Sequence, residues 1–461
     1  MPSAAILPSW SQQPGLETPA FVYDERLIEG KLAVLRQGTQ GSGLKVLYSI
    51  KALPFRPLLE LVRPWVEGFS VSSLFEARLA AEVLAGRGDL HLTSPGLRLE
   101  DAAELAEPGL RIGFNSLGQW QRLHPLLRGR ASCGLRINPE ISFLDDARYD
   151  PCRPHSKLGV PLSQVAALGD ARPQGVQGIH FHTVFQARDF APLRQTVARI
   201  EAALGDWLAG LQWINLGGGY TWDTPEDLAG LVEVAQGLRR RWDVEVLFEP
   251  GKAVVGEAGC LAARVLDVFD SGGKTVAVLD TSVNHNPEVF EYQRRPALLN
   301  EAPGGVHNVI LAGGTCLAGD VFGEYRLAGP PRPGDLMVFA NVGAYSLIKA
   351  NRFNGHNLPS IYALDATDAC NRARATATRI TAASGVRSEA GAVRSSSLPL
   401  GAAHAQQGLL GFSTASERPC STNTSPGASC QSGAGFSMRT SRRSIVATLT
   451  LIFSKSKSAR R

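Results

Sequence analysis

The 461-residue sequence predicts an α/β fold: a (β/α)8 TIM-like barrel followed by a mostly β C-terminal domain and a disordered tail. Three observations carry this. Eight short β-rich runs recur between residues 45 and 250. Amphipathic stretches separate most of them, which implies parallel pairing, and eight such units in about 200 residues suit a closed barrel. After residue 260 the texture changes to strand-like runs joined by Gly/Pro turns. A doubly wound sheet is the competing arrangement for the first part.

The eight runs are 46–50, 68–72, 90–93, 111–115, 133–138, 178–182, 213–217 and 244–249. Between them, 74–85 and 100–106 read as helices. In the first, Leu74, Ala77, Leu79, Ala81 and Leu84 form a broad apolar face. The second domain shows strand-like runs at 264–269, 275–279, 308–311 and 336–339, with turns at 271–273 and 329–334. The early 19–23 run adds a strand to it. The expected division is a barrel over 24–262, a β-domain built from 1–23 and 263–369, and a tail over 370–461. That tail is rich in Ser, Ala, Thr, Arg and Gly with little periodicity, so it reads as disordered. Two readings stand for it, a native basic tail and a tail translated from a shifted reading frame, and the abruptness of the switch favours the second.

The net charge of +5 comes from the tail: residues 371–461 hold 13 Lys+Arg against 2 Asp+Glu. The rest is mildly acidic, so the basic pI gives no nucleic-acid footprint. Seven cysteines without metal-like spacing read as reduced thiols of a cytoplasmic protein. The N-terminus lacks a signal-peptide pattern. The apolar run 445–453 is far short of the ~20 residues a membrane helix needs.

A barrel displays its functional groups at strand C-termini. Lys51 ends the first run, where desolvation would lower its pKa and leave more neutral amine for a Schiff base. Taken alone, Lys51 is better explained as a strand-end lysine snorkelling to water. His180 and His182 share one face at the end of the sixth run. Gly217, Gly218 and Gly219 end the seventh, and successive glycine amides suit a phosphate. Glu249 ends the eighth, with Lys252 close behind, and Arg136 lies near the end of the fifth. Singly, His182 reads as a satisfied core histidine, the glycines as a tight turn and Glu249 as a cap of the next helix. Together, a lysine, a phosphate loop, a flat ring and a carboxylate are the components of a pyridoxal phosphate site, where the carboxylate keeps the pyridine nitrogen protonated.

The chain resembles the barrel-type pyridoxal phosphate decarboxylases, the group of ornithine, arginine and diaminopimelate decarboxylases. The resemblance rests on Tyr-Ser-Ile-Lys-Ala-Leu (48–53), Gly-Phe-Ser-Val-Ser-Ser (68–73), Leu-Arg-Ile-Asn-Pro-Glu (135–140), Ser-Lys-Leu-Gly-Val (156–160), His-Phe-His-Thr (180–183), Asn-Leu-Gly-Gly-Gly-Tyr (215–220) and Phe-Glu-Pro-Gly (248–251). It continues through Asp-Thr-Ser (280–282), Gly-Gly-Thr-Cys-Leu-Ala-Gly-Asp (313–320), Gly-Ala-Tyr-Ser (343–346) and Phe-Asn-Gly (353–355). Cys-Leu-Ala-Gly-Asp and Leu-Pro-Ser-Ile (358–361) favour the branch acting on carboxynorspermidine or carboxyspermidine in polyamine synthesis.

The resemblance implies pyridoxal 5'-phosphate as cofactor and assigns roles. Lys51 would bind the cofactor covalently, His182 would stack on its ring, and Glu249 would pair with the ring nitrogen. Gly217, Gly218 and Gly219 would hold the phosphate, with Lys252 and Tyr345 assisting. Cys316 would donate the proton after CO2 loss, and Asp320 would help hold the substrate's amine end; a polyamine's cations want acidic residues, which Asp280, Glu288, Glu291 and Asp320 could supply. It also implies a homodimer with shared active sites, acting on a small carboxylated polyamine. Two departures mark the pocket: Val184-Phe185-Gln186 where the branch carries Leu-Cys-Glu, and Val283-Asn284-His285-Asn286 where it carries an Ala-rich run. Diaminopimelate decarboxylation, a non-catalytic regulatory homologue and a racemase on the same barrel remain as other readings.

Overall fold

The structure, a computed structural model, describes residues 7–105, 109–169, 172–364 and 370–372. The chain enters through β1 (Ala20–Asp24) and helix α1 (Glu25–Gly38). Eight parallel strands follow: β2 (Leu44–Ser49), β3 (Gly68–Val71), β4 (Asp89–Ser94), β5 (Leu110–Phe114), β6 (Ser132–Asn138), β7 (Gly178–His180), β8 (Trp213–Asn215) and β9 (Glu245–Phe248). Each pairs with the next, and β9 pairs back to β2, so the sheet closes. All eight expected runs are present. Strands β7 and β8 stop at His180 and Asn215 because the chain leaves the ladder to form the loops that carry His182 and Gly217.

Period-two alternation sorts each strand's side chains. Tyr48, Phe69, Leu92, Ile112 and Phe248 are buried in the main core that joins the barrel to its helices. The opposite set fills the barrel in three layers. At the bottom, Lys45 Nζ lies 3.1 Å from Asp89 Oδ2 and 2.7 Å from Glu245 Oε1. Arg111 reaches the same two carboxylates at 3.0 and 2.5 Å, so four alternating charges plug this end. The middle layer is Leu47, Trp213 and Leu247. Trp213 fits because Gly134 and Gly178 face it: a Cβ on Gly178 would lie 2.0 Å from Trp213 Cδ2. Its indole N–H donates to Ser132 Oγ at 2.8 Å. The top layer is polar and buried, with Arg136, His180, Asn215 and Glu249.

Helix starts are set locally. Ser73 Oγ accepts from Glu76 N at 3.2 Å while Glu76 Oε2 accepts from Ser72 N at 2.6 Å, a reciprocal cap that begins the helix Leu74–Leu84. Ser116 and Gln119 repeat the device for Leu117–Leu127.

The second sheet is built on β10 (Gly259–Ser271), which pairs antiparallel with β1, with β11 (Lys274–Leu279) and, once the chain returns, with β14 (Leu336–Phe339). Between these, β12 (His307–Ala312) runs parallel to β11 and antiparallel to β13 (Val321–Leu327). On the other side of β1, β15 (Ser360–Leu364) pairs parallel, and β16 (Cys370–Arg372) pairs antiparallel to β15. The run at 19–23 thus joins this sheet as expected. Strands β13 and β15 were not foreseen; in β13 the exposed Glu324 and Arg326 interrupt the apolar signal. Strand β16 carries order into residues 370–372, which the sequence assigned to the tail. The rest of that expected tail, with its frame-shift reading, lies outside the described residues. Among the described residues no helix is long and apolar enough to cross a membrane.

Replacing Gly178 by Ala drives a methyl into the Trp213 ring, and overpacking of this kind costs about 1–3 kcal/mol. Urea unfolding of Gly178→Ala should show a lower midpoint at unchanged slope; a midpoint equal to wild type would refute the packing account.

Candidate active site

The C-terminal end of the barrel gathers the chemistry. Past β2 the chain makes a short 3-10 turn, Ile50–Ala52, that lifts Lys51 off the barrel wall. The turn is held from two sides: Ser49 N donates to Pro250 O at 2.8 Å, and Tyr345 N from the sheet domain donates to Ala52 O at 2.7 Å. The Lys51 side chain is exposed to the solvent of the cleft, yet protein surrounds that cleft. Desolvation lowers its pKa, and Arg136 adds to the effect against Glu249 and Glu76. More of the amine is therefore free base than on an open surface.

Glu249 lies at the end of β9, buried among side chains from across the barrel. Its Oε1 is 2.6 Å from His91 Nδ1 and accepts from Asn215 Nδ2 at 2.7 Å. Its Oε2 is 3.7 Å from His180 Nε2. Glu249 also lines the cleft beside Lys51 and His182. Burial opposes its charge, but His91, His180 and Asn215 outweigh that and hold its carboxyl well below the usual range. His182 accepts the Gly218 N–H on Nδ1 at 3.1 Å. Burial, with Lys51 and Arg136 nearby, lowers its pKa to about 3, so its ring is neutral. His180, also desolvated, is held well below the usual range. Burial brings Arg136 down to about 10, which leaves it charged at neutral pH.

The triple glycine works differently from a row of three free amides. Gly217 N donates to Asn215 Oδ1 at 2.9 Å and Gly218 N to His182 Nδ1, so both are engaged inside the protein. Of the three, Gly219 lines the cleft. The glycines are needed for close approach: a Cβ on Gly218 would sit 2.0 Å from Glu249 O, and Gly217 and Gly219 hold φ of 66° and 94°. Tyr345, Gly251 and Lys252 complete this end of the cleft. Burial pushes the Tyr345 phenol up to about 12. Lys252 Nζ lies 3.3 Å from Glu288 Oε2, so its charge is already partnered.

The opposite lobe is a cavity of about 420 Å³ bordered by Arg136, Arg148, Tyr149, His180 and Phe185. Phe185, from the departing Val184–Gln186 segment, stacks on Tyr149 at 4.7 Å and 14°. A cleft-facing amine, a flat neutral ring, a buried carboxylate at the cleft wall and a polar far end therefore share one cleft, a set that suits a planar phosphorylated aldehyde.

Three candidates do not join the cleft within this chain. Cys316 is exposed, its N–H donating to Asn354 Oδ1 at 2.9 Å. Asp320 is buried, accepting from Val283 N at 2.8 Å and Thr315 N at 3.2 Å, and so it shapes its own loop. Asp280 accepts from Thr18 Oγ1 at 2.5 Å and Arg264 N at 2.8 Å, stitching the N-terminal segment to the sheet domain. The reading from sequence missed His91, Asn215 and Tyr149. His91 carries a faint signal, since alternation in 90–93 turns it and Thr93 inward.

Residues 20–343 match the family described as pyridoxal-dependent decarboxylase, C-terminal sheet domain. A carboxyaminopropylagmatine decarboxylase from Synechocystis is 33% identical over 355 residues, 75% of this chain and 89% of that one. A carboxynorspermidine/carboxyspermidine decarboxylase from Herminiimonas arsenicoxydans is 31% identical, covering 75% and 93%. The crystal structure of carboxynorspermidine decarboxylase with norspermidine from Campylobacter jejuni superposes with a TM-score of 0.70 at 28% identity, over 78% of this chain and 97% of that one.

The His182 environment makes stability pH-dependent. Unfolded, its imidazole takes a proton near 6.5; folded, only near 3. Unfolding therefore takes up a proton in that window, and stability falls as pH drops from 6.5 toward 3. In cofactor-free protein, His182→Phe should flatten the stability–pH slope there by about one proton. Identical slopes in denaturant titrations across pH would contradict the burial argument.

Proposed function

The chain belongs to the pyridoxal-dependent decarboxylase family, and on that premise we propose that it decarboxylates carboxynorspermidine or carboxyspermidine, releasing CO2 and norspermidine or spermidine. The observation that carries the catalytic reading is the convergence of Lys51, His182 and Glu249 on one cleft. Bound pyridoxal phosphate supplies an electron sink for the pair left at Cα when CO2 departs. Lys51 would hold the cofactor's aldehyde, and its lowered pKa leaves more of the amine neutral and nucleophilic for that role. Glu249 would keep a proton at the ring nitrogen, and His182 would offer a neutral face for stacking. Gly219, Tyr345 and Lys252 lie where the phosphate end would rest, with Lys252 shared with Glu288. One C–C bond breaks, one proton is returned to Cα, and the product is an amine.

We assign that proton to Cys316 of the partner subunit. Its exposure, and its absence from the cleft of its own chain, support an obligate homodimer in which sites are shared. The substrate reading is supported by the Cys-Leu-Ala-Gly-Asp stretch (316–320) and by the activities in the relatives' names. A second reading is carboxyaminopropylagmatine, named in the 33% identical relative, which ends in a guanidinium instead of an amine.

CO2 release should be measured on carboxynorspermidine, carboxyspermidine, carboxyaminopropylagmatine and diaminopimelate. A carboxylated polyamine should give the highest kcat/KM; diaminopimelate as the best substrate, or no turnover at all, would overturn the proposal. Lys51→Ala should abolish turnover. Glu249→Gln should lower kcat by about a hundredfold, ~2.7 kcal/mol. Mixing inactive Lys51→Ala and Cys316→Ala chains should restore about a quarter of wild-type activity, because half the dimers then carry one intact site. No restoration would argue against sites shared between subunits.

A further inference from the structure

Glu249 has two oxygens, and the protein treats them differently. His91 reaches Oε1 from β4, across the barrel, with Nδ1 at 2.6 Å. Asn215 Nδ2 also lies 3.0 Å from Nδ1, but the Glu249 oxygen is nearer at 2.6 Å, and an ionised oxygen repels a bare imidazole nitrogen at that distance, so the geometry favours the proton on Nδ1. Asn215 grips the same oxygen at 2.7 Å while its own Oδ1 holds Gly217 N at 2.9 Å. Oε2 makes only the longer 3.7 Å approach to His180.

The His91 ring has little freedom to move. It is fully buried, edge-on to His180 at 5.1 Å and to Trp213 at 5.4 Å. Its Nε2 has no hydrogen-bond partner among the described residues. A Cβ on Gly113 would come within 3.4 Å of that nitrogen. The ring is thus packed on its other sides and bonded through Nδ1 alone.

We propose that His91 is a positioning residue: it donates Nδ1–H to Glu249 Oε1, locks the carboxylate against rotation, and leaves Oε2 as the oxygen presented to the cofactor's ring nitrogen. The proposal rests on the reading that Glu249 faces that nitrogen. His91 touches neither substrate nor cofactor; it acts through Glu249. Asn215 supports the same oxygen and couples it to the glycine loop, so the ring end and the phosphate end of the cleft share one hydrogen-bonded frame.

The test begins with cofactor-free wild-type protein. Imidazole 15N shifts should report His91 protonated on Nδ1, and a bare Nδ1 would overturn the proposal outright. His91→Phe keeps the ring packing and removes the donor; His91→Asn keeps a donor near the Nδ1 position. In cofactor-free His91→Phe the Glu249 carboxyl, followed by 13C NMR, should titrate at markedly higher pH than in wild type, and His91→Asn should restore much of the difference. In the loaded enzyme, His91→Phe should lower kcat by about tenfold to a hundredfold with KM little changed, as expected for a misaimed group, and His91→Asn should recover most of it. Unchanged Glu249 titration and kcat in His91→Phe, or equal losses in both variants tracking a fall in Tm, would refute the role. The expected tautomer and titration without turnover on any carboxylated polyamine would support His91 while overturning the substrate reading.

Discussion

The carboxylate of Glu249 is the constraint around which the top of this barrel is organised. Burying an unpaired charge costs on the order of several kcal/mol, and this one is inside a closed sheet. It is tolerated because His91, Asn215 and His180 converge on it from three other strands, with Arg136 contributing field from a fourth. Each of these side chains is itself buried, and so they fix one another's positions. A buried polar network of this kind rigidifies when it is satisfied and is damaging when it is not. Rigidity is what a site needs if it must hold a ring nitrogen at hydrogen-bond distance.

The depth of that network is set from below. The four-charge plug of Lys45, Asp89, Arg111 and Glu245 closes the bottom of the barrel, and Trp213 fills the middle where Gly134 and Gly178 leave room. Trp213 packs edge-on against His91, so an apolar layer directly supports the polar one above it. Lys51 stands at the upper limit, lifted into the cleft by a turn that the sheet domain secures through Tyr345. Tyr345 adopts a left-handed backbone conformation at φ 66°, uncommon for a non-glycine residue. Its amide on Ala52 ties the second domain mechanically to the lysine.

Much of this was legible in the sequence. The strand count followed from short β-rich runs alternating with amphipathic stretches, and the run ends named Lys51, His182 and Glu249 because parallel strands in a barrel share one functional end. The second sheet was only partly legible: β13 and β15 escaped because charged outward residues and short length weaken the apolar pattern. The internal hydrogen bonds of Gly217 and Gly218 were not legible. A glycine-rich loop reads as exposed amides, but Asn215 and His182 engage two of them, and the glycines serve the tight approach of neighbouring strand ends.

By itself the sequence determined which residues sit at strand ends and which way they face, because alternation is a local property of an extended backbone. Only the tertiary structure decided who meets whom. His91 and Glu249 are 158 positions apart, and nothing periodic links them; closure of the barrel brings β4 and β9 within reach across its axis. The same holds for Asp280 and Asp320, whose carboxylates suggested a cationic ligand but bond to this chain's own backbone and to the hydroxyls of Thr18 and Thr315. A carboxylate's partner is fixed by three-dimensional proximity, and a one-dimensional pattern records only that the charge is there.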